Sequence, residues 1–156
     1  MTIKEQMKQD LQEARLAKEN DGVTKALQLT LSKIQTREID AKRELKDSEV
    51  IAIIKKEIKD NEETIDILSV EMNNPNQSAE RKEALGERYV SLISINEKYG
   101  VYVPQQLTEE QIIQLLINKG AQKGDNIGKL IGMVMSTHKE VVDGNLVREV
   151  VRKHFQ

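Results

Sequence analysis

Aliphatic side chains recur every three to four residues along almost the whole chain, and this helical period is what most restricts its fold. Ile3, Met7 and Leu11 set the rhythm near the start, and the longest run extends from Val50 to Met72. Charged residues make up 32% of the chain and aromatic residues only 3%. A composition rich in Glu, Lys, Gln, Leu and Ile favours helix at most positions. The sequence therefore predicts an all-α fold.

Four helices are predicted in residues 1–100, where they form antiparallel hairpins or a bundle as an N-terminal helical domain. The first ends near Asn20-Asp21-Gly22, where glycine can take the left-handed conformation that closes a helix. The second runs from Val23 to about Leu45. Asp47 or Ser48 can cap the third, and Pro75 suits the first turn of the fourth, which ends before Gly100.

Residues 101–107 are predicted to be an extended linker, because Pro104 restricts the residue before it to extended conformations. A three-helix tail domain follows at 108–156. Thr108 and Gln111 form a capping box at the start of its first helix, which Gly120 ends. Asp125 and Asp143 can cap the other two helices.

The charge pattern limits the classes of function, and the absence of cysteine excludes disulfides and thiol nucleophiles. The signs nearly cancel, at a net charge of −2, so affinity for nucleic acid would have to come from a local basic patch. No stretch approaches the roughly 18–20 apolar residues of a membrane span, and the N-terminus is charged where a signal peptide would be apolar. We expect a soluble cytoplasmic protein with no membrane partner.

The most informative segment contains Gly128, Lys129 and Gly132. Two glycines four residues apart on a helix leave a bare groove, which a second helix or a nucleic-acid backbone can approach closely. Lys129 in the first helical turn opposes the helix dipole, and a lysine beside helix N-terminal N–H groups suits a phosphate. Close helix packing with a solvated lysine is the alternative. The spacing is not that of a P-loop.

Three stretches in the second half, in the same order and at the same separations, resemble those of YqeY-like proteins. Residues 102–110 resemble the Tyr-Leu-Pro-x-Gln-Leu-(Ser/Thr) linker, 128–135 the Gly-Lys-Val-Met-Gly segment, and 143–147 the Ala-Asp-Gly-x-x-Val segment. Residues 45–65 are similar to that family's long helix. The chain departs from the pattern at Glu140-Val141, where the family has glycine and a basic residue.

The tail of GatB, a component of the tRNA-dependent amidotransferase, shares this Gly-x-Val-Met core. The resemblance implies a helical, non-catalytic module that engages tRNA or an aminoacyl-tRNA-related enzyme. No cofactor and no metal site are predicted. The candidate phosphate-binding residues are Lys123, Gly128, Lys129, Gly132, Lys139, Arg148, Arg152 and Lys153. A solvated helix face is the alternative for the basic residues among them.

Two other functions remain open. One is a protein-interaction module that self-associates through its N-terminal helices, favoured by the long third helix and the apolar run at 89–95. The other is a part in carbon–nitrogen ligation with glutamine as the amide donor, which rests only on how the wider family is described.

No catalytic residues are predicted. His138 and His154, with Glu140, lack the usual spacing of a metal site. The carboxylates Glu62, Glu63 and Asp66 lie on one side of a helix, where acidic clusters are usually solvated.

Overall fold

The computed structural model describes residues 1–19, 21–139 and 141–156, and within them the all-α prediction is confirmed. The described residues contain seven helices and no strand, and none of these helices is long and apolar enough to cross a membrane. The helices are α1 (Ile3–Leu16), α2 (Gly22–Ala41), α3 (Asp47–Met72), α4 (Ala79–Tyr102), α5 (Glu109–Asn118), α6 (Ile127–His138) and α7 (Gly144–Phe155).

The chain divides into two compact units, Met1–Val103 and Pro104–Gln156. In the first unit α3 and α4 are antiparallel. Asn61 Nδ2 donates to Asn96 Oδ1 at 2.8 Å near the middle, and Arg81 pairs with Glu71 at 3.7 Å near the turn. Helices α1 and α2 pack against the other end of this pair.

The core of the first unit is aliphatic, with two buried tyrosines. Its fully buried side chains include Met7, Ile34 and Ile54. Thr30 is also buried, and its hydroxyl lies 2.7 Å from that of Tyr99. The Tyr99 hydroxyl is in turn 3.1 Å from the Ala26 carbonyl oxygen, so these polar groups of the core are satisfied.

Three donors surround the carboxylate of Asp10 on α1, and two of them, those of Tyr102 and Lys98, lie at the end of α4. The Tyr102 hydroxyl donates to Oδ2, Lys98 Nζ lies 2.9 Å from the same oxygen, and Gln6 Nε2 donates to Oδ1 at 3.0 Å. Burial works against the carboxylate, but these hydrogen bonds outweigh it and lower the pKa of Asp10. Burial and the Asp10 carboxylate together raise the pKa of Tyr102 well above its usual range.

Several helix ends differ from the predicted ones. Helix α1 ends at Leu16, and Lys18 takes the left-handed conformation (φ 58°) that was predicted for Gly22. Gly22 instead begins α2, whose N-cap is Asp21. Asn20, part of the same prediction, lies outside the described residues. Helix α2 ends at Ala41, before the predicted Leu45, because Lys42 also turns left-handed (φ 56°).

Neither Asp47 nor Ser48 caps α3. The N-cap is Lys46, and the side chain of Glu49 accepts its backbone N–H at 2.9 Å. Both carboxylate oxygens of Glu49 also accept hydrogen bonds from the Arg43 guanidinium, at 2.9 and 2.8 Å. These bonds, first those from Arg43, lower the pKa of Glu49 to about 2.

Helix α4 begins later and ends later than predicted. Pro75 lies in the turn before it, and the N-cap is Ser78, whose hydroxyl accepts the Arg81 N–H at 3.1 Å. The helix continues through Gly100 to Tyr102, into the segment predicted to be extended. The apolar run at 89–95 is mostly half-buried, and Leu92 and Ile95 pack into the core.

The second unit surrounds its own core of α5, α6 and α7, in which Ile112, Leu116, Leu130, Val134 and Val147 are fully buried. Two backbone bonds of 2.7 Å close its loops: Leu107 N–H donates to the Val141 carbonyl, and Gly124 N–H to the Phe155 carbonyl. The predicted caps at Thr108, with its capping box, and at Asp143 are confirmed. The predicted cap at Asp125 was wrong, since Asn126 caps α6.

Candidate nucleic-acid interface

Helix α6 presents its two glycines to solvent. Leu130 and Val134 face the core, and successive residues of a helix are turned by about 100°. Gly128, Gly132 and Lys139 therefore lie together on the opposite side, with Lys129 beside them. All four are exposed.

Among the described residues Gly132 has no packing role, and Gly128 adjoins only the cap of its own helix. A Cβ atom built on Gly132 would meet nothing within 4 Å, and one on Gly128 would meet only the Oδ1 atom of the neighbouring cap Asn126, at 3.1 Å. Close helix packing, the alternative considered from the sequence, therefore does not explain Gly132. Neither glycine has a positive φ, so backbone conformation does not require them either.

The side chain of Lys129 is exposed and only loosely paired. It is 64% exposed, and its Nζ atom lies 3.9 Å from Oδ2 of Asp125, a loose ion pair. Asp125 Oδ2 also accepts the Gln122 N–H at 2.9 Å, which fixes the carboxylate at the start of α6. The cap Asn126 accepts the N–H of Lys129 at 3.3 Å.

The three predicted cations of α7 do not form one cluster of unpaired charges. Arg148 and Arg152 are four residues apart on one exposed flank, and no ion pair to either occurs within the described ranges. Lys153 is turned toward α5, where its Nζ atom lies 3.6 Å from Glu109 Oε1. His154 Nε2 lies 3.0 Å from the same oxygen, and the hydrogen bond from His154 with the charge of Lys153 lowers the pKa of Glu109.

The remaining basic residues have separate positions. Lys123 and Lys139 are exposed, and the described part of the chain offers neither an ion-pair partner. Lys119, which was not predicted as a site residue, has a structural role: Nζ donates to the Met133 carbonyl at 2.7 Å and to Thr137 Oγ1 at 2.8 Å. It fastens the end of α5 to α6, a contact that no local sequence pattern indicates.

The histidines have different neighbours. His138 Nδ1 lies 2.7 Å from Thr137 Oγ1, whereas His154 contacts Glu109. Glu140, considered with them from the sequence, lies outside the described residues. Among the residues that the structure does describe, no group of three or more His, Cys, Asp or Glu side chains could hold a metal ion.

These features define a two-unit, all-helical protein with an exposed, glycine-containing basic face. The chain matches the family described as "Yqey-like protein" over residues 4–155, nearly its whole length, and it belongs to that family. The resemblance to YqeY-like proteins found from the sequence is thereby confirmed. No curated protein sequence matches the chain.

Replacing Gly132 with alanine should stabilise the second unit by about 0.5–1 kcal/mol, because alanine loses less backbone entropy in a helix and nothing occupies the space of its Cβ. The measurement is chemical denaturation of the full chain. Gly124→Ala is the control and should destabilise, since Gly124 has a φ of +93° that alanine adopts only under strain. A loss of stability in Gly132→Ala would contradict this account of the face.

Proposed function

We propose that the outer face of α6, with Arg148 and Arg152 of α7, contacts the phosphate backbone of tRNA as part of a non-catalytic accessory module. The observation that carries the proposal is the exposed Gly132, which neither a contact nor a backbone conformation among the described residues requires; Gly128 lies on the same face, next to the cap Asn126. A mid-helix glycine lowers stability by about 0.5–1 kcal/mol relative to alanine. A partner that must approach the helix closely would account for glycine at this position.

The charges of the tail suit a salt-sensitive contact of modest strength. The tail, 108–156, contains seven cations and six carboxylates, so attraction depends on which cations are unpaired. Four of the predicted cations make no ion pair within the described residues, Lys129 makes only the loose one with Asp125, and Lys153 is engaged with Glu109. The guanidinium groups of Arg148 and Arg152 can each donate two hydrogen bonds to a phosphate. The four cations without an ion pair in that part of the chain are Lys123, Lys139, Arg148 and Arg152.

A filter-binding titration of the full chain against bulk tRNA tests this proposal. Four phosphate contacts predict a loss of affinity of about 100-fold between roughly 50 and 200 mM salt. Lys129→Glu should weaken binding by about tenfold at the lower salt, because it replaces an attraction by a repulsion. Lys82→Glu, an exposed change of the same charge on α4, is the control and should have much less effect. No binding near 50 mM salt, or equal effects of the two changes, would refute the proposal.

The role of the bare groove can be separated from that of charge. Gly132→Leu adds no charge but fills the space above the helix, so it should weaken tRNA binding by about tenfold or more if a backbone lies there. Gly132→Ala should weaken it less, while raising stability. If Gly132→Leu binds tRNA like the unchanged chain and only the charge variants differ, the groove has no part in the contact. If the face instead binds a translation-related protein, tRNA binding will be absent.

A further inference from the structure

The side of α3 opposite the core carries six exposed residues that follow a regular spacing of four and three. This set, called the outer stripe here, consists of Ala52, Lys56, Lys59, Glu63, Asp66 and Val70. Steps of four and three keep successive side chains on one face of a helix. The stripe spans about 27 Å, given a rise of 1.5 Å per residue.

The charged positions of the outer stripe are arranged symmetrically about residue 61, and the charges on the two sides of that residue have opposite signs. Its first half carries Lys56 and Lys59, and its second half carries Glu63 and Asp66. No ion pair within the described parts of the chain engages any of these four side chains, which leaves their charges to solvent or to a partner. From 60 to 72 the helix contains five carboxylates and no lysine or arginine, so the asymmetry of charge extends beyond the stripe.

We propose that two copies of this chain pair through their outer stripes, with the two α3 helices antiparallel. A two-fold axis at the level of residue 61 places Lys56 of each copy opposite Asp66 of the other, and Lys59 opposite Glu63. Each pair occurs twice because the contact is symmetric. Ala52 of each copy then lies opposite Val70, whose side chain is 74% exposed in the single chain.

An apolar contact beside the stripe fits the same register. Ile67 is 59% exposed, and by helix period it lies on the same flank of α3 as Ile53, which lines a groove with α2. A two-fold axis brings like flanks of the two helices together, and residue 67 of one copy lies level with residue 55 of the other. At that level α2 and α3 form a groove of about 460 Å³, where Leu29, which is 64% exposed, and the buried Ile53 lie among polar and charged side chains. Ile67 of each copy can therefore enter the groove of the other.

The charge order excludes the obvious alternatives for this face. A parallel alignment would put lysine against lysine and carboxylate against carboxylate. RNA or an acidic protein would be repelled by Glu63 and Asp66, and a basic partner by Lys56 and Lys59. An antiparallel second copy complements both halves at once. The partner that the outer stripe fits is thus another molecule of the same chain, and the RNA proposal for α6 does not depend on it.

Paired charge variants test this inference by sedimentation of the full chain. One helix pair is a small interface, so we expect a dissociation constant on the order of tens of micromolar near 50 mM salt. Near 500 mM salt this constant should be about tenfold higher, because salt screens the charges. Lys56→Glu/Lys59→Glu gives an all-acidic stripe and Glu63→Lys/Asp66→Lys an all-basic one, so each should remain monomeric. Mixed together, the two variants should form a 1:1 complex, because every facing pair is again complementary, as it is in the original pair.

The matched controls lie on exposed positions of α4. Lys82→Glu/Arg88→Glu and Glu83→Lys/Glu87→Lys change the net charge by the same amounts as the two stripe variants. They should self-associate like the original chain and should not form a preferred mixed complex. Far-UV circular dichroism confirms that all variants fold. The inference is overturned if the original chain stays monomeric up to about 1 mM at low salt, if the stripe variants still self-associate, or if the mixture does not pair.

Discussion

Leu130→Ala should unfold most of the second unit at room temperature in mild denaturant, well before the first unit is affected. Leu130 is fully buried in the core between α5, α6 and α7. Truncating such a leucine costs about 2–5 kcal/mol, because the transfer free energy of the lost methyl groups adds to the cost of the cavity. A unit of this size has a total stability of roughly 3–8 kcal/mol, so one substitution removes a large share of it.

Amide hydrogen exchange of the full chain measures this loss residue by residue. The amides of α6 and α7 should exchange about 30-fold faster or more in Leu130→Ala, since 2 kcal/mol corresponds to roughly that factor. Ile117→Ala, an aliphatic truncation on α5 where the side chain is 51% exposed, is the matched control. It should change exchange less than about threefold. Equal effects of the two substitutions would show that Leu130 does not anchor this core.

The sequence could predict that these segments are helices, because the aliphatic period and the polar caps are local signals. The caps at Thr108 and Asp143 were predicted from single residues in their immediate context, and both occur. The end of α1 was predicted wrongly, because Gly22 does not close that helix but serves tertiary packing. A Cβ at Gly22 would lie 2.3 Å from Ser91 Oγ of α4, so this glycine permits close packing at the start of α2.

The extension of α4 past Gly100 has a similar explanation. Glycine and Pro104 both indicate an ending, but Tyr102 is buried and bonded to Asp10, ninety-two positions earlier in the chain. A contact at that separation leaves no local sequence pattern. The residues of the candidate interface likewise divide into those that local sequence predicts and those whose position depends on tertiary contacts. The exposure of Gly128 and Lys129 follows from helix period, whereas the diversion of Lys153 to Glu109 depends on how α5 meets α7.

Tyr102→Phe should destabilise the first unit by about 1.5–3 kcal/mol, the usual contribution of a hydrogen bond to a charged group. Asp10→Ala should cost more, because it leaves the buried Tyr102 hydroxyl and the Lys98 ammonium without their common acceptor. The double variant should be less destabilised than the sum of the two, since both changes remove one bond. Tyr89→Phe, on a half-buried ring whose hydroxyl makes no hydrogen bond within the described residues, should be nearly neutral.

The same contact predicts how stability depends on pH at both extremes. The pKa of Asp10 is lowered in the folded chain, so its contribution is present above the unfolded value of about 4 and is lost as the pH falls below it. The pKa of Tyr102 is raised, so its contribution is complete below about pH 10 and is lost as the pH rises further. The chain has three tyrosines and no tryptophan, which makes ionisation visible at about 295 nm.

We expect Tyr102, and also Tyr99 whose pKa burial raises, to ionise only together with unfolding, in one cooperative step above pH 10. Absorbance and circular dichroism should then change at the same pH. In Asp10→Ala this step should move to lower pH, because the carboxylate no longer holds the phenol neutral and the unit unfolds more easily. Smooth ionisation of all three tyrosines near pH 10 without loss of helix would mean that the Tyr102–Asp10 bond does not hold α1 to α4.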